Sequence, residues 1–193
     1  MFIHILNIFL IYYMYNLLNF NKGGILMLVC KYIDELFIKY NKNFNVSKNI
    51  ELCEKKINLF AEHKGIGGRT FVTQKDIIDK FEFNEYCIVS VYNKINIEDA
   101  VEYTNYLKSL INALVKPNKE HKCSTITGVM VCDTSIDKST ENFIKNFKYT
   151  KSYKLYFHGW SDIRLILVDL SNNLVIPNKQ GKKVKKVYIP TSL

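Results

Sequence analysis

The sequence contains little of the two residues that most often interrupt regular structure, with 8 glycines and 3 prolines among 193 residues. This composition excludes a collagen-like chain and argues against a long flexible linker. An intrinsically disordered chain is excluded too, because 48% of the residues are hydrophobic and 23% are charged. The length suits one domain with a core that needs neither disulfides nor a metal ion.

Arginine is scarce as well, since the chain has two arginines, Arg69 and Arg164, and 25 lysines. Acidic residues are absent from both ends of the chain, since all 18 lie between Asp34 and Asp169. Residues 27–177 hold 21 basic and 18 acidic residues, a net charge of +3 out of +9 for the whole chain. The basic excess therefore belongs to the ends of the chain.

The five cysteines are odd in number and form no CxxC pair, so neither a zinc ribbon nor a secreted disulfide framework is indicated. Free thiols that act as small hydrophobic residues are the simplest interpretation. We therefore expect a reducing compartment, the cytoplasm.

Residues 1–20 contain no charge and have the length of a membrane span, but they lack the basic start and the cleavage site of a signal peptide. The tripeptide KGG at residues 22–24 can be back-translated as a bacterial ribosome-binding site at a suitable distance before Met27. We expect the native protein to begin at Met27, with residues 1–26 translated from upstream DNA. The alternative is a hydrophobic segment, residues 1–20, that tethers the domain to a membrane.

Hydrophobic periodicity predicts a helix over residues 28–40, a second over residues 97–114 with Asn96 as its N-cap, and a third that ends near Phe147. This order predicts an α+β fold with a mixed or antiparallel sheet, helices packed mainly on one face, and a single domain over residues 27–177. The predicted strands cover residues 57–61, 70–73, 86–92, 124–132, 153–157, 163–170, 174–176 and 184–189.

The glycine-rich sequence KGIGGR at residues 64–69 is superficially similar to a phosphate-binding loop. Such a loop leads directly into a helix, whose amide groups face the anion. Here the strand-like sequence TFVT follows instead. We therefore predict that these residues connect two strands of a hairpin.

Glu62, His63 and Lys64 match the (D/E)xK core of nucleases with the restriction-endonuclease-like fold, in which carboxylates hold a divalent metal and the lysine positions a water molecule. That fold also has the order helix, three strands, helix, strand. A second carboxylate from a neighbouring strand is needed, and the strand at residues 86–92 contains none. A metal-dependent nuclease using Glu62 and Lys64 is therefore kept as an alternative.

His63, His121 and His158 each lie near the end of a predicted strand, where Cys123 or Glu62 could add a further metal ligand. No two of these residues have the short spacing of a metal motif. We therefore expect separate surface imidazoles, no metal site and no cofactor.

The two arginines suit fixed, bidentate contacts that lysine cannot make. Arg164 begins a buried strand and could pair with Asp162 or Asp169. A structural salt bridge is the first interpretation, and an anion-binding site at Arg69 and Arg164 is the second.

The C-terminal segment, residues 178–193, contains five lysines and no acid. Lys182, Lys183, Lys185 and Lys186 surround Val184 in a pattern that fits either binding of nucleic-acid phosphates or a charged edge strand that resists aggregation. We expect an accessory binding protein rather than an enzyme, with nucleic acid as the favoured partner and a small ligand as the other.

Five sequence strings together resemble a group of small uncharacterised bacterial proteins that share a domain of unknown function. The resemblance covers most of residues 28–187 and implies one compact domain. It implies no activity and assigns no catalytic residue. The strings are RTFVT (69–73), NEYC (84–87), STITGV (124–129), GWSDIRLILVDL (159–170) and NKQGK (178–182).

Overall fold

The computed structural model describes residues 27–70 and 77–191, which form one α+β domain. The predicted start at Met27 and the alternative membrane tether concern residues 1–26, which lie outside the described residues, as does most of the strand predicted at residues 70–73. None of the described helices is both long enough and apolar enough to cross a membrane.

The described residues contain four helices and seven strands. The helices are α1 (residues 27–40), α2 (Ile97–Leu114), α3 (Lys138–Asn146) and a 3-10 helix (Gly181–Tyr188). The strands are β1 (Asn45–Leu52), β2 (Lys55–Thr70), β3 (Ile77–Val91), β4 (His121–Cys132), β5 (Thr150–Ser152), β6 (Trp160–Asp169) and β7 (Leu174–Pro177).

All seven strands belong to one mixed sheet in the order β1-β2-β3-β4-β6-β5. Strands β3, β4 and β6 are parallel, and α2 and α3 occur in the connections between them. Strands β1 and β2 extend the sheet in antiparallel fashion beside β3. On the other side, β5 pairs with the first half of β6 and β7 with the second half, so both lie along the same edge of β6.

Helices cover both faces of this sheet. The hydroxyl of the buried Tyr103 donates to the carbonyl of Ile88, 2.8 Å away, and anchors α2 to one face, where Ile144 of α3 joins the same core cluster. Leu36 of α1 and Tyr188 of the 3-10 helix are buried on the opposite face. The predicted α+β class, mixed sheet and single domain are confirmed, and a second, smaller helical layer is added to the predicted one.

The start of α2 is fixed by a capping box. The Asn96 side chain accepts from the Asp99 amide and the Asp99 carboxylate accepts from the Asn96 amide, each at 2.9 Å. Two amide groups that the first turn leaves without helical partners are thereby satisfied. The helix predicted from Asn96 and the apolar periodicity is confirmed.

The glycine-rich segment is part of strand β2, so the prediction of a loop connection at residues 64–69 is wrong. Gly65 lies opposite Phe83, and a Cβ atom built on Gly65 would come within 2.2 Å of the Phe83 ring. The glycine therefore provides space for an aromatic ring of the neighbouring strand, a pairing that sequence periodicity does not reveal.

The predicted strand at residues 184–189 is also wrong, because this segment forms the 3-10 helix. The fully buried Asn178 turns the chain, since its side-chain oxygen accepts from the amides of Leu165 (3.1 Å) and Gly181 (2.8 Å). Residues 153–157, predicted as a strand, form a turn because Lys154, Leu155 and Tyr156 have positive φ angles.

Candidate functional site

Five lysines converge on the outer edge of β7 and form what we call the lysine groove. It is a depression of about 680 Å³ whose floor is β7, Leu174–Pro177. One wall comes from the end of α3 and the other from the 3-10 helix. The lysines are Lys145 and Lys148 on the first wall and Lys179, Lys182 and Lys185 on the second.

The charge of the lysine groove is poorly compensated. Glu141 is the one carboxylate among the described residues that line the groove, and it already pairs with Lys145 and, at 3.1 Å, with Lys138 outside the groove. Within the described part of the chain, the side chains of the other four groove lysines form no ion pair and no hydrogen bond. The groove therefore presents a concentrated positive charge to solvent.

The 3-10 helix divides the four lysines predicted as a basic cluster into two pairs. Lys182 and Lys185 are one turn apart, because the helix has three residues per turn, and both line the groove. Lys183 and Lys186 are exposed but are not among the groove residues. The same helix thus carries a lysine pair inside the candidate site and a matched pair outside it.

Arg164 lies in a separate cavity of about 230 Å³ between α1, the 3-10 helix and the sheet, which we call the Arg164 cavity. The arginine side chain is 18% exposed, and its Nη1 atom lies 3.4 Å from Oε2 of Glu85 on β3. Its partner is therefore Glu85 and neither of the two aspartates considered from the sequence. Asp162 accepts from Trp160 (3.0 Å), and the buried Asp169 accepts from groups of the following turn.

Two hydroxyls and a thiol meet at the inner wall of the Arg164 cavity. The Tyr40 and Tyr188 hydroxyls are hydrogen-bonded to each other, and the Cys87 sulfur lies 3.7 Å from the Tyr188 hydroxyl. Burial raises the pKa of the Cys87 thiol to about 11, so the thiol is protonated at neutral pH. A protonated thiol is a poor nucleophile, so the Cys87 thiol is not activated for covalent catalysis.

The other predicted residues do not join these two sites. Arg69 lies in β2 opposite Asp79, and its side chain is outside the described part of the structure. Glu62 and Lys64 are on β2, where the Lys64 Nζ and Glu62 Oε2 atoms are 3.4 Å apart. They therefore form a local ion pair on the strand rather than part of the Arg164 cavity or the lysine groove.

No carboxylate pair forms around Glu62 in the described residues. Glu62 pairs with Tyr86, so the adjacent Glu85 points to the opposite face of the sheet. Glu82 is on the same face as Glu62 but pairs with Ile66, four residues and about 13 Å further along β2. A divalent metal needs carboxylates within a few ångströms of each other.

Within the described residues, the three histidines that we considered as metal ligands form no ligand group, and the expectation of three separate surface imidazoles is wrong for His121. His121 is buried, and its two ring nitrogens contact the His158 carbonyl (2.7 Å) and the Ser124 hydroxyl (2.9 Å). His63 contacts the Asn43 carbonyl at 2.9 Å. Among the residues the structure describes, no group of three His, Cys, Asp or Glu side chains could hold a metal ion.

The sequence did not indicate Lys145, Lys148 and Glu85 as site residues. Lys145 and Lys148 are distant along the chain from the tail lysines, and Glu85 is distant from Arg164. Only sheet order and helix packing bring these residues together. The lysines of the tail, which stand there without any acid, were the one available signal for the groove.

The family model described as "Domain of unknown function (DUF8052)" matches residues 29–190, which is most of the chain. No curated protein and no solved structure matches.

Proposed function

The chain belongs to the family defined by the Domain of unknown function (DUF8052), and from the geometry of its lysine groove we propose that it binds the phosphate backbone of nucleic acid. The observation that carries this proposal is the convergence of five lysines on one groove with a single, already paired carboxylate. Neutralising phosphates with lysines releases bound counterions, which supplies most of the affinity of sequence-independent binding.

The chemistry of the groove favours contact with the backbone over reading of bases. Lysine acts as a compact point charge on a flexible stem, whereas specific base recognition uses the planar groups of arginine, asparagine and glutamine. Among the described residues that line the groove, Asn146 is the one such side chain and none carries an aromatic ring. The groove itself therefore binds without sequence preference.

The proposed partner is compatible with a cytoplasmic protein. The five cysteines are free, and Cys30 and Cys53 are exposed to solvent. Exposed thiols stay reduced in the cytoplasm. A cytoplasmic location is therefore part of the proposal.

Fluorescence anisotropy with a labelled oligonucleotide of mixed sequence tests the proposal. The double variant Lys182→Ala/Lys185→Ala is expected to bind about tenfold more weakly at low salt, because two phosphate contacts are lost. The matched control is Lys183→Ala/Lys186→Ala, which removes the same charge from the same helix. Equal losses of affinity in both variants would show that net charge alone, and not the groove, determines binding, and would overturn the proposal.

The same oligonucleotide separates binding from cleavage. Incubation with magnesium is expected to leave the strand intact. Cleavage that EDTA abolishes, and that is lost in Glu62→Ala, would favour the alternative nuclease instead.

The Arg164 cavity supports a second candidate function, the binding of a small anionic ligand. Its guanidinium is largely buried and makes one long ion-pair contact, although it carries five donors. Lys39 adds a second cation at the rim, where its amine donates to the Val187 carbonyl at 3.1 Å. The cavity is smaller than the roughly 300–1,000 Å³ of sites for drug-sized ligands, so a compact carboxylate or phosphate fits best.

A further inference from the structure

The turn between β5 and β6 exposes three consecutive large side chains, which we call the aromatic tip. Leu155 is 85% exposed, Tyr156 is 62% exposed and Phe157 is 81% exposed. They are among the most exposed large hydrophobic side chains of the described residues. Neither the lysine groove nor the Arg164 cavity includes any of them.

The backbone of this turn is strained. Lys154, Leu155 and Tyr156 have φ angles of 47°, 52° and 71°, a left-handed conformation that residues with a Cβ atom seldom adopt in succession. Gly159 closes the turn with φ 71°, and a Cβ atom there would lie 2.2 Å from the Lys122 carbonyl oxygen. Such strain persists only where the surrounding structure enforces it, and it is most frequent at binding sites.

The base of the turn is held rigidly. The Tyr153 amide donates to the Gly159 carbonyl (3.0 Å), and the His158 amide donates to the Tyr153 carbonyl (3.1 Å). From below, the buried His121 ring contacts the His158 carbonyl, and the Tyr153 hydroxyl is hydrogen-bonded to Ser161 (2.9 Å). These bonds hold the backbone of the turn in the conformation that exposes the aromatic tip.

Behind the tip lies a cleft of about 200 Å³, which we call the aromatic cleft. The cleft combines aromatic rings with amines, since Lys122 Nζ lies 4.0 Å from the centre of the Phe81 ring. The Trp160 side chain is oriented by a hydrogen bond that its Nε1 atom donates to Asp162. Glu120 is the one carboxylate among the described residues that line it. The rings are those of Phe81, Tyr156, Phe157 and Trp160, and the amines are those of Lys80, Lys119 and Lys122.

We infer that the aromatic cleft binds an unpaired nucleotide, with the base stacked on the rings and the phosphate held by the lysines. Aromatic rings beside basic residues are the features that bind single-stranded nucleic acid, because every base has a face that can stack. Duplex bases are already stacked and cannot enter such a cleft. A lipid surface would contact the protruding tip but would leave the rings inside the cleft unused.

The inference rests on the proposed function and specifies its substrate as single-stranded nucleic acid. The aromatic cleft lies where β4 and β6 begin, since Lys122 and Trp160 line it, whereas the lysine groove is built on β7, which pairs with the second half of β6. A nucleic-acid strand long enough to span β6 would contact the lysines with its backbone and the cleft with a base. The two sites use different residues and can be tested separately.

The experiment measures affinity for a single-stranded oligonucleotide and for the corresponding duplex. Tyr156→Ala and Phe157→Ala are each expected to weaken single-strand binding about tenfold, as for the loss of one stacked base, and to leave duplex binding unchanged. Tyr156→Phe should retain the single-strand affinity because the ring remains. Leu155→Ala is the matched control, since Leu155 shares the turn and its exposure but does not line the cleft.

The fluorescence of Trp160, the one tryptophan of the chain, gives a second readout. Single-stranded probe should quench it in the wild type and less so in Phe157→Ala. An unchanged ratio of single-strand to duplex affinity in both alanine variants overturns the inference, and so does an equal loss in Leu155→Ala.

Failure of the proposed function has a different signature. In that case the Lys182→Ala/Lys185→Ala variant binds as the wild type does, whatever the tip variants show. Sedimentation with vesicles of phosphatidylserine and phosphatidylcholine that depends on Tyr156 and Phe157, without any effect of these residues on single-strand binding, would assign the tip to a lipid surface and overturn the nucleotide assignment.

Discussion

Arg164 on β6 and Glu85 on β3 form an ion pair across the intervening strand β4, with 3.4 Å between Nη1 of the arginine and Oε2 of the glutamate. Between them on β4 lie Thr127, which pairs with Arg164 and lines the cavity, and Thr125, which pairs with Glu85. Glu85 is 41% exposed and can yield to a stronger acceptor from solvent. A bound anion would therefore compete with Glu85 for the guanidinium.

Removing the negative charge of Glu85 should strengthen anion binding in the Arg164 cavity. We expect Glu85→Gln to bind citrate about fivefold more tightly than the wild type, since a partly exposed ion pair contributes about 1 kcal/mol. Arg164→Ala should lose the stabilisation by citrate. The measurement is thermal unfolding over a citrate titration, because a ligand that binds the folded state raises the melting temperature.

Glu51→Gln, an exposed substitution on β1, is the control for the change in net charge. If citrate stabilises all four proteins equally, the cavity does not take an anion and the ion pair is only structural.

The lysine groove predicts a specific change in salt dependence. The slope of log affinity against log salt concentration is negative, and its magnitude should fall by about 0.7 to 0.9 for each phosphate contact removed. Lys182→Ala/Lys185→Ala should therefore reduce that magnitude by between about one and two units. Anisotropy titrations at several potassium chloride concentrations measure it.

In Lys183→Ala/Lys186→Ala the slope should stay close to that of the wild type, because these amines lie outside the groove. A slope whose magnitude falls by the same amount in both double variants would contradict a defined site.

Local features of the fold could be predicted from the sequence, whereas features built from distant residues could not. The apolar stripe and the Asn96 cap sufficed for α2, because a helix depends on contacts within a few residues. The strand assignment of residues 184–189 failed because Asn178, through its bonds to Leu165 and Gly181, redirects the chain. No pattern within the tail itself indicates those partners.

The same distinction holds for the candidate sites. The tail lysines and Arg164 could be selected from composition, since arginine is rare and the tail lacks acids. Their companions could not, because Glu85 is 79 residues from Arg164 and Lys145 belongs to another helix. Only the sheet order places these residues together.

Stability should decrease at alkaline pH because of the buried cluster at the inner wall of the Arg164 cavity. Burial raises the pKa of the Cys87 thiol to about 11 and raises the pKa of the Tyr40 and Tyr188 hydroxyls well above their usual value. The unfolded chain releases the thiol proton near pH 8.5 and the phenol protons near pH 10. The folded state thus binds more protons in this range, and the free energy of unfolding falls as the pH rises.

Urea unfolding at about pH 8 and about pH 10 measures this loss. Each buried group contributes at most about 1.4 kcal/mol per pH unit. Cys87→Ala should reduce the loss by about 1 kcal/mol, whereas Cys30→Ala, which removes an exposed thiol, should leave it unchanged. A wild type that is equally stable at both pH values would show that the groups of the cluster lose their protons at the same pH in the folded and the unfolded state.

Gly65 should be needed to make room for its cross-strand partner Phe83 and not to bind a ligand. Gly65→Ala places a Cβ atom 2.2 Å from the Phe83 ring, which already lies beside His63 with 6.0 Å between ring centres. Overpacking of this kind costs about 1–3 kcal/mol. Urea unfolding should show that loss, while Ile66→Ala, an exposed neighbour on the other face of β2, should have a smaller effect.

A double-variant cycle identifies the cause of the loss. Phe83→Leu removes the ring, so in that background Gly65→Ala should be at least about 1 kcal/mol less destabilising than in the wild type. Oligonucleotide binding should be unchanged in Gly65→Ala, because Gly65 lies outside the lysine groove and the aromatic cleft. Additive effects on stability, together with a loss of binding, would instead assign this glycine to a phosphate-binding loop, since such a loop needs its backbone amides free and not a partner ring.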